Sequence, residues 1–162
     1  MTTSENEKDK VITLLLLLSR TTFTEEERTE AEKLCRSLTS WKLFSDLVIR
    51  HGVAALVWQN ITDLGLADAV TEEERRLLEN IRFKTIARVS YITSEAAEVV
   101  ALLAKEGIRA LLLKGLALEY SVYGSRGLRQ MSDADMLVAP EDAIRAQQIL
   151  VKAGFVSRPM KS

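Results

Sequence analysis

Along the first hundred residues, apolar positions return every three or four residues, the spacing of helices that each bury one face. This stretch contains no proline and only two glycines, Gly52 and Gly65. Val11 to Leu18 reads as the buried part of a first helix. Trp41 to Gln59 reads as a helix, a turn at His51-Gly52, and a second apolar helix through Trp58. From Thr71 to about Lys105 nothing stops a helix before Gly107, which predicts a rod of roughly 50 Å at ~1.5 Å per residue. Its apolar positions, among them Leu77, Leu78, Ile81, Val89, Ile92, Ala96 and Leu103, fall on one side, with a break near Ser90 as an alternative.

Two of these segments open on the same five residues, TEEER, at 24–28 and at 71–75. Each offers a threonine N-cap and a glutamate three residues on, so a reciprocal capping box is expected at both. The neighbouring glutamates favour the positive end of the helix dipole. The sequences diverge after the arginine, so a shared capping signal is read here rather than an internal repeat.

The pattern changes at Gly107. Ile108 to Leu113 is a short apolar run bounded by glycine and Lys114-Gly115, as a buried strand would be. Leu116 to Tyr123 returns to helical spacing, and Gly124 to Gly127 forms a loop. Ala134 to Val138 reads as a second strand. Pro140 is suited to the first position of a helix that Gly154 ends, and Phe155-Val156-Ser157 reads as the start of a third strand. The expected fold class is therefore α+β. A mostly helical region, residues 1–105, leads into a small mixed β-sheet with helices over 106–162.

Composition narrows the classes. With 22 basic and 23 acidic residues the net charge is -1, which lacks the basic excess of a nucleic-acid-binding surface. One cysteine, Cys35, and one histidine, His51, exclude an internal disulfide and a His-rich zinc site. Cys35 reads as a buried apolar residue, and Trp41, Trp58 and His51 as core packing. The Val11–Leu18 run has an acidic flank and no cleavage signal after it, and eight residues fall far short of the ~20 that span a bilayer. The expectation is a cytoplasmic protein without membrane attachment.

The residues that call for chemistry lie in QMSDADMLV, 130–138. If the strand includes them, Asp133 and Asp135 share one face while Ala134, Met136 and Val138 share the buried one. Two carboxylates held close repel, and a divalent cation relieves the conflict. Magnesium accepts such a pair together with substrate phosphates. A solvated pair at a strand entrance, with a local turn at Ser132, is the plainer alternative. An EF-hand is excluded by Leu137 at a ligand position. Upstream, the helix beginning at Lys114-Gly115 could hold an anion on its first amides. Arg126 and Arg129 could face phosphate oxygens, although Arg126 reads better as a solvated loop residue. A kinase-like phosphotransferase is disfavoured, since no Gly-rich loop or HRD-like segment is present.

LLLKGLALEY, then LRQMSDADMLV, then a helix ending in Lys152-Ala153-Gly154-Phe155, resemble the uncharacterised nucleotidyltransferase family of the polymerase-beta-like superfamily. WKLFSDLVIRHGVAALVWQNI resembles that family's helical N-terminal region, so the likeness runs from Trp41 to Phe155. The resemblance implies transfer of a nucleoside monophosphate from an NTP to an acceptor, with two magnesium ions. By the same resemblance, Asp133 and Asp135 match the metal-binding, catalytic carboxylates, Lys114 and Gly115 the motif that holds the triphosphate, and Arg129 a recurrent arginine. Two departures stand out. Leu116 follows the glycine where a small residue is usual, and no Asp or Glu follows Asp142 to serve as a third carboxylate. The chain is then either the N-terminal part of a longer protein, with only the first strands of the core, or catalytically incomplete. A non-catalytic, degenerate module acting through protein–protein contacts, or a homo-oligomer, is the alternative. The acceptor and the base preference are not legible.

Overall fold

A computed structural model describes residues 3–157, with side chains from residue 6 onward. Its elements are α1 (Thr3–Leu18), α2 (Glu25–Ser37), α3 (Trp41–Arg50), α4 (Ala54–Asp63), α5 (Glu72–Lys105), β1 (Leu111–Leu113), α6 (Lys114–Ser121), β2 (Asp135–Leu137) and α7 (Ala143–Lys152). Short 3-10 turns cover Ala67–Ala69 and Pro140–Asp142. The fold is α+β and mostly helical, as the periodicity predicts. Among the described residues no helix is long and apolar enough to cross a membrane.

The helical part closes on its own core. Val11, Leu14 and Leu18 from α1, Cys35 from α2, Trp41, Phe44 and Val48 from α3, and Val57, Trp58 and Ile61 from α4 pack against Leu78 of α5. Trp41 meets Phe44 edge to face, ring centroids 5.4 Å apart. Burial pushes the Cys35 thiol up to about 12, as expected of an inert packed residue. Asn60, also buried, donates to the carbonyls of Leu18 (2.9 Å) and Arg20 (2.8 Å), tying the end of α1 to α4.

α5 is unbroken through Ser90 and passes out of this core to wall two smaller ones. Ile92 and Ala96 pack with Leu116, Leu112, Met131, Ala134 and Met136. Leu103 packs with Ile108, Ala146, Val138 and Ile149. The sheet is two-stranded and antiparallel, with Leu112 opposite Met136 and Leu113 opposite Asp135.

The structure corrects several expectations. At Thr24 both halves of the capping box form, Glu27 N–H donating to Thr24 Oγ1 (3.2 Å) and Thr24 N–H to Glu27 Oε2 (2.9 Å). At Thr71 the box is absent, because Glu74, which would have to reach back, is buried. Strand β1 begins only at Leu111, and Ile108 is instead a core residue beneath α7. Residues 155–157 form no strand. The Phe155 amide returns to the Leu150 carbonyl (3.0 Å) to close α7 at Gly154, whose φ is +97°. His51 is not core: it caps α3 at the surface, whereas Trp41 and Trp58 are buried as expected.

Candidate functional site

The site grows from the end of β1. Antiparallel pairing sets Leu113 opposite Asp135, so the chain leaves β1 beside the residues that enter β2. It turns directly into α6 through Lys114, whose φ of +46° lies in the left-handed region that non-glycine residues seldom adopt. Strain of this kind persists only where the surroundings hold it, and it recurs at functional sites. No side chain caps α6, leaving its first amides without a local side-chain acceptor. A β-carbon built on Gly115 would touch the Met131 side chain at 3.5 Å, so the loop preceding the aspartates packs on the start of α6.

Lys114 Nζ lies 3.2 Å from Asp135 Oδ2, joining the helix start to the acid strand. Asp135 is half-buried and Asp133 exposed. Asp133 precedes β2 by two residues, so the alternation expected to align the two carboxylates does not extend to it. Ala134 and Met136 do face the small core, as expected. Asp133 Oδ1 is 3.5 Å from the Ser132 hydroxyl, a long contact. Arg88, on α5, donates from Nη2 to the Ser132 carbonyl at 2.8 Å and fixes the residue before Asp133.

Glu119, which the sequence reading passed over, builds the adjoining loop. It is 2% exposed, and its two oxygens accept the amides of Gly127 (2.6 Å) and Arg129 (3.1 Å). Gly127 has φ +69°, and a β-carbon there would lie 3.1 Å from the Ile86 backbone, so this loop is seated closely on α5. The signal was present in the sequence: Glu119 stands three residues after Leu116 and so on the buried face of α6. Arg129 is held at its backbone, while its buried Nε finds no partner among the described residues. With His51, Tyr123 and Ser132 it lines a cavity of about 410 Å³ between the α3–α4 turn and loop 128–132. Arg126 faces away, 3.7 Å from Asp63.

Two carboxylates with spare lone pairs are hard oxygen donors, which suit a magnesium-type cation completed by water and substrate. The Lys114 ammonium beside Asp135 is in keeping with a position that welcomes positive charge. Among the described residues no cluster of three or more metal-ligating side chains occurs, so such an ion would take its other ligands from elsewhere.

A short strand, a strained lysine-glycine helix start and a partner strand that opens on Asp135, with Asp133 in the loop before it, set the frame of the candidate site. Residues 37–159 match the family described as uncharacterised nucleotidyltransferase, and the chain belongs to that family. No curated protein and no solved structure matches it.

Proposed function

We propose that this chain binds a magnesium–NTP complex, with Asp133 and Asp135 as the catalytic, metal-holding carboxylates and Lys114, Gly115 and Arg129 on the phosphates. The observation that carries the reading is the Lys114–Asp135 ion pair, which draws the phosphate-side turn and the acid strand together. The ion, when bound, would neutralise phosphate charge and polarise the α-phosphorus for attack. The chain's own residues orient: the Lys114 ammonium and the first α6 amides face anionic oxygens, and Glu119 fixes the backbone that carries Arg129. In such a transfer the acceptor oxygen bonds to the α-phosphorus. The bond to pyrophosphate breaks, pyrophosphate leaves with the electron pair, and the acceptor's proton passes to solvent or a base. Residues 106–162 are read as the nucleotidyltransferase-like core, with only its first strands, following the helical region 1–105.

Titration with Mg-ATP or Mg-GTP should move the NMR amide signals of 114–116 and 132–136, and Asp133→Asn with Asp135→Asn should remove the magnesium-dependent part. Amides that stay still through saturating nucleotide would end the proposal. Turnover by this chain is expected to be small, because among the described residues no third metal-ligating side chain joins the two aspartates; strong nucleotidylation would overturn that.

A second reading, a non-catalytic interaction module, is favoured by the outer face of the sheet. There Leu111 and Leu137 stand opposite one another, 60% and 54% exposed. Sedimentation should then reveal association that Leu111→Ser with Leu137→Ser abolishes; a monomer at high concentration tells against it.

A further inference from the structure

Loop Gln130–Ser132, which delivers the chain to Asp133, has a cavity on each side. The one lined by Arg129 and His51 has been described. The other, about 350 Å³, lies against the middle of α5 and is lined by Ile49, Lys84, Thr85 and Arg88. Gln130 and Met131 line both, so they form the partition. Neither lining contains an Asp or a Glu, although acidic residues slightly outnumber basic ones in the chain.

Lys84 and Arg88 stand four residues apart on α5, where like charges are neighbours and repel. Among the described residues neither is in an ion pair with a carboxylate. Arg88 is nevertheless anchored: it donates to the Ser132 carbonyl, and its guanidinium carbon lies 5.8 Å from the Tyr91 ring centre. A guanidinium carries five N–H donors, so anchoring leaves others uncommitted. An anion between the two cations would turn their repulsion into attraction.

We propose that this second cavity is the acceptor subsite, and that it takes a small acceptor carrying a phosphate or carboxylate held by Lys84 and Arg88. The assignment as acceptor rests on the nucleotide reading above. In-line transfer sets attacking and leaving oxygens on opposite sides of phosphorus, so the two substrates must approach from different directions. Lys114, Gly115 and the two aspartates line neither cavity, whereas Arg88 on the wall of the second bonds the residue just before Asp133, so an acceptor seated there would approach the acids from the α5 side. The volume falls within the range of small-ligand pockets.

The test is NMR titration of the full chain, without nucleotide, with inorganic phosphate and separately with acetate, against chloride at matched ionic strength. Amides of 84–88 and 130–131 should shift and saturate, and whichever anion binds more tightly identifies the acceptor's group. Lys84→Gln with Arg88→Gln, both on an exposed stretch of helix, should weaken that binding by about tenfold or more, while Arg129→Gln should not. Shifts that chloride reproduces, shifts confined to 114–116 and 129, or an unchanged affinity in the double variant would each overturn the proposal. Failure of the nucleotide reading is separately visible: Mg-ATP would leave 114–116 and 132–136 unmoved even while phosphate shifts 84–88.

Discussion

The helical part and the α/β part are stabilised differently. The first encloses a continuous core to which α1 through α5 all contribute, with two tryptophans and Phe44 at its centre. The second has two small clusters, and each uses α5 as one wall. Several of its other apolar residues are left outside, with Leu111, Leu137, Ile144, Val151 and Val156 all about half exposed or more. Burial of apolar area is the main driving force for folding, so cohesion should be concentrated in the first part. The residues of the candidate site, by contrast, sit mostly in the second. Low local stability is common where loops bind ligands.

The largest test of this contrast compares two fully buried residues. Phe44→Ala should cost about 3–5 kcal/mol and lower the urea midpoint of the whole chain. Leu116→Ala should cost about 2–5 kcal/mol but act locally, with hydrogen exchange accelerated in β1, α6 and β2 while α1 to α4 stay protected. Equal loss of protection everywhere would mean the two parts unfold as one.

Next in size is Glu119→Ala, which strands the amides of Gly127 and Arg129 at about 1–3 kcal/mol for each unsatisfied group. The expected readout is faster exchange at those two amides with the helical core unaffected. Glu119→Gln keeps one acceptor oxygen and should fall between the wild type and the alanine variant. Smaller still is the pair of threonines. Thr24→Ala should cost about 1 kcal/mol through its lost cap, whereas Thr71→Ala should stay within about 0.5 kcal/mol; equal effects by urea unfolding would contradict the difference in geometry.

The least effect is expected from pH. Glu7 accepts from the Thr39 hydroxyl (2.8 Å) and from the amides of Thr39 and Ser40, and these bonds hold its carboxyl down at about 2 against an ordinary 4.5. A depressed carboxylate stabilises the fold fully above its unfolded value. That contribution therefore fades as pH falls from about 4.5 toward 2. Glu7→Gln should flatten this part of the stability–pH curve, while leaving the α/β part untouched.

These contrasts also mark what the sequence could and could not disclose. Long helices were legible because 3.6-residue periodicity is a local property, and α5 runs as its spacing predicts. Identical words at 24 and 71 behaved differently for a non-local reason: Glu27 reaches back at the surface, whereas the packing of α5 buries Glu74. The strands came out shorter than their apolar runs because Ile108 serves α7's side of the core and Phe155 closes a helix. The Asp-x-Asp pair and the lysine-glycine turn could be read from residue type and order. That His51 stands at a cavity rim, and that Lys84 and Arg88 form no ion pair among the described residues, depends on which surfaces the fold brings together.

One property of α5 reaches further. Leu78 belongs to the first core and Leu103 to the last, about 38 Å along the same uninterrupted rod at ~1.5 Å per residue. Pivoting that rod by only five degrees or so about its anchored end would swing the other by about 3 Å, a full hydrogen-bond length. Arg88 lies about 15 Å from Leu78 on that rod, so the same pivot would move it by about 1 Å, and its Nη2 is bonded to the carbonyl just ahead of Asp133. Mutations in the tryptophan-lined bundle that let the rod tilt would therefore be expected to reach the loop before the acids.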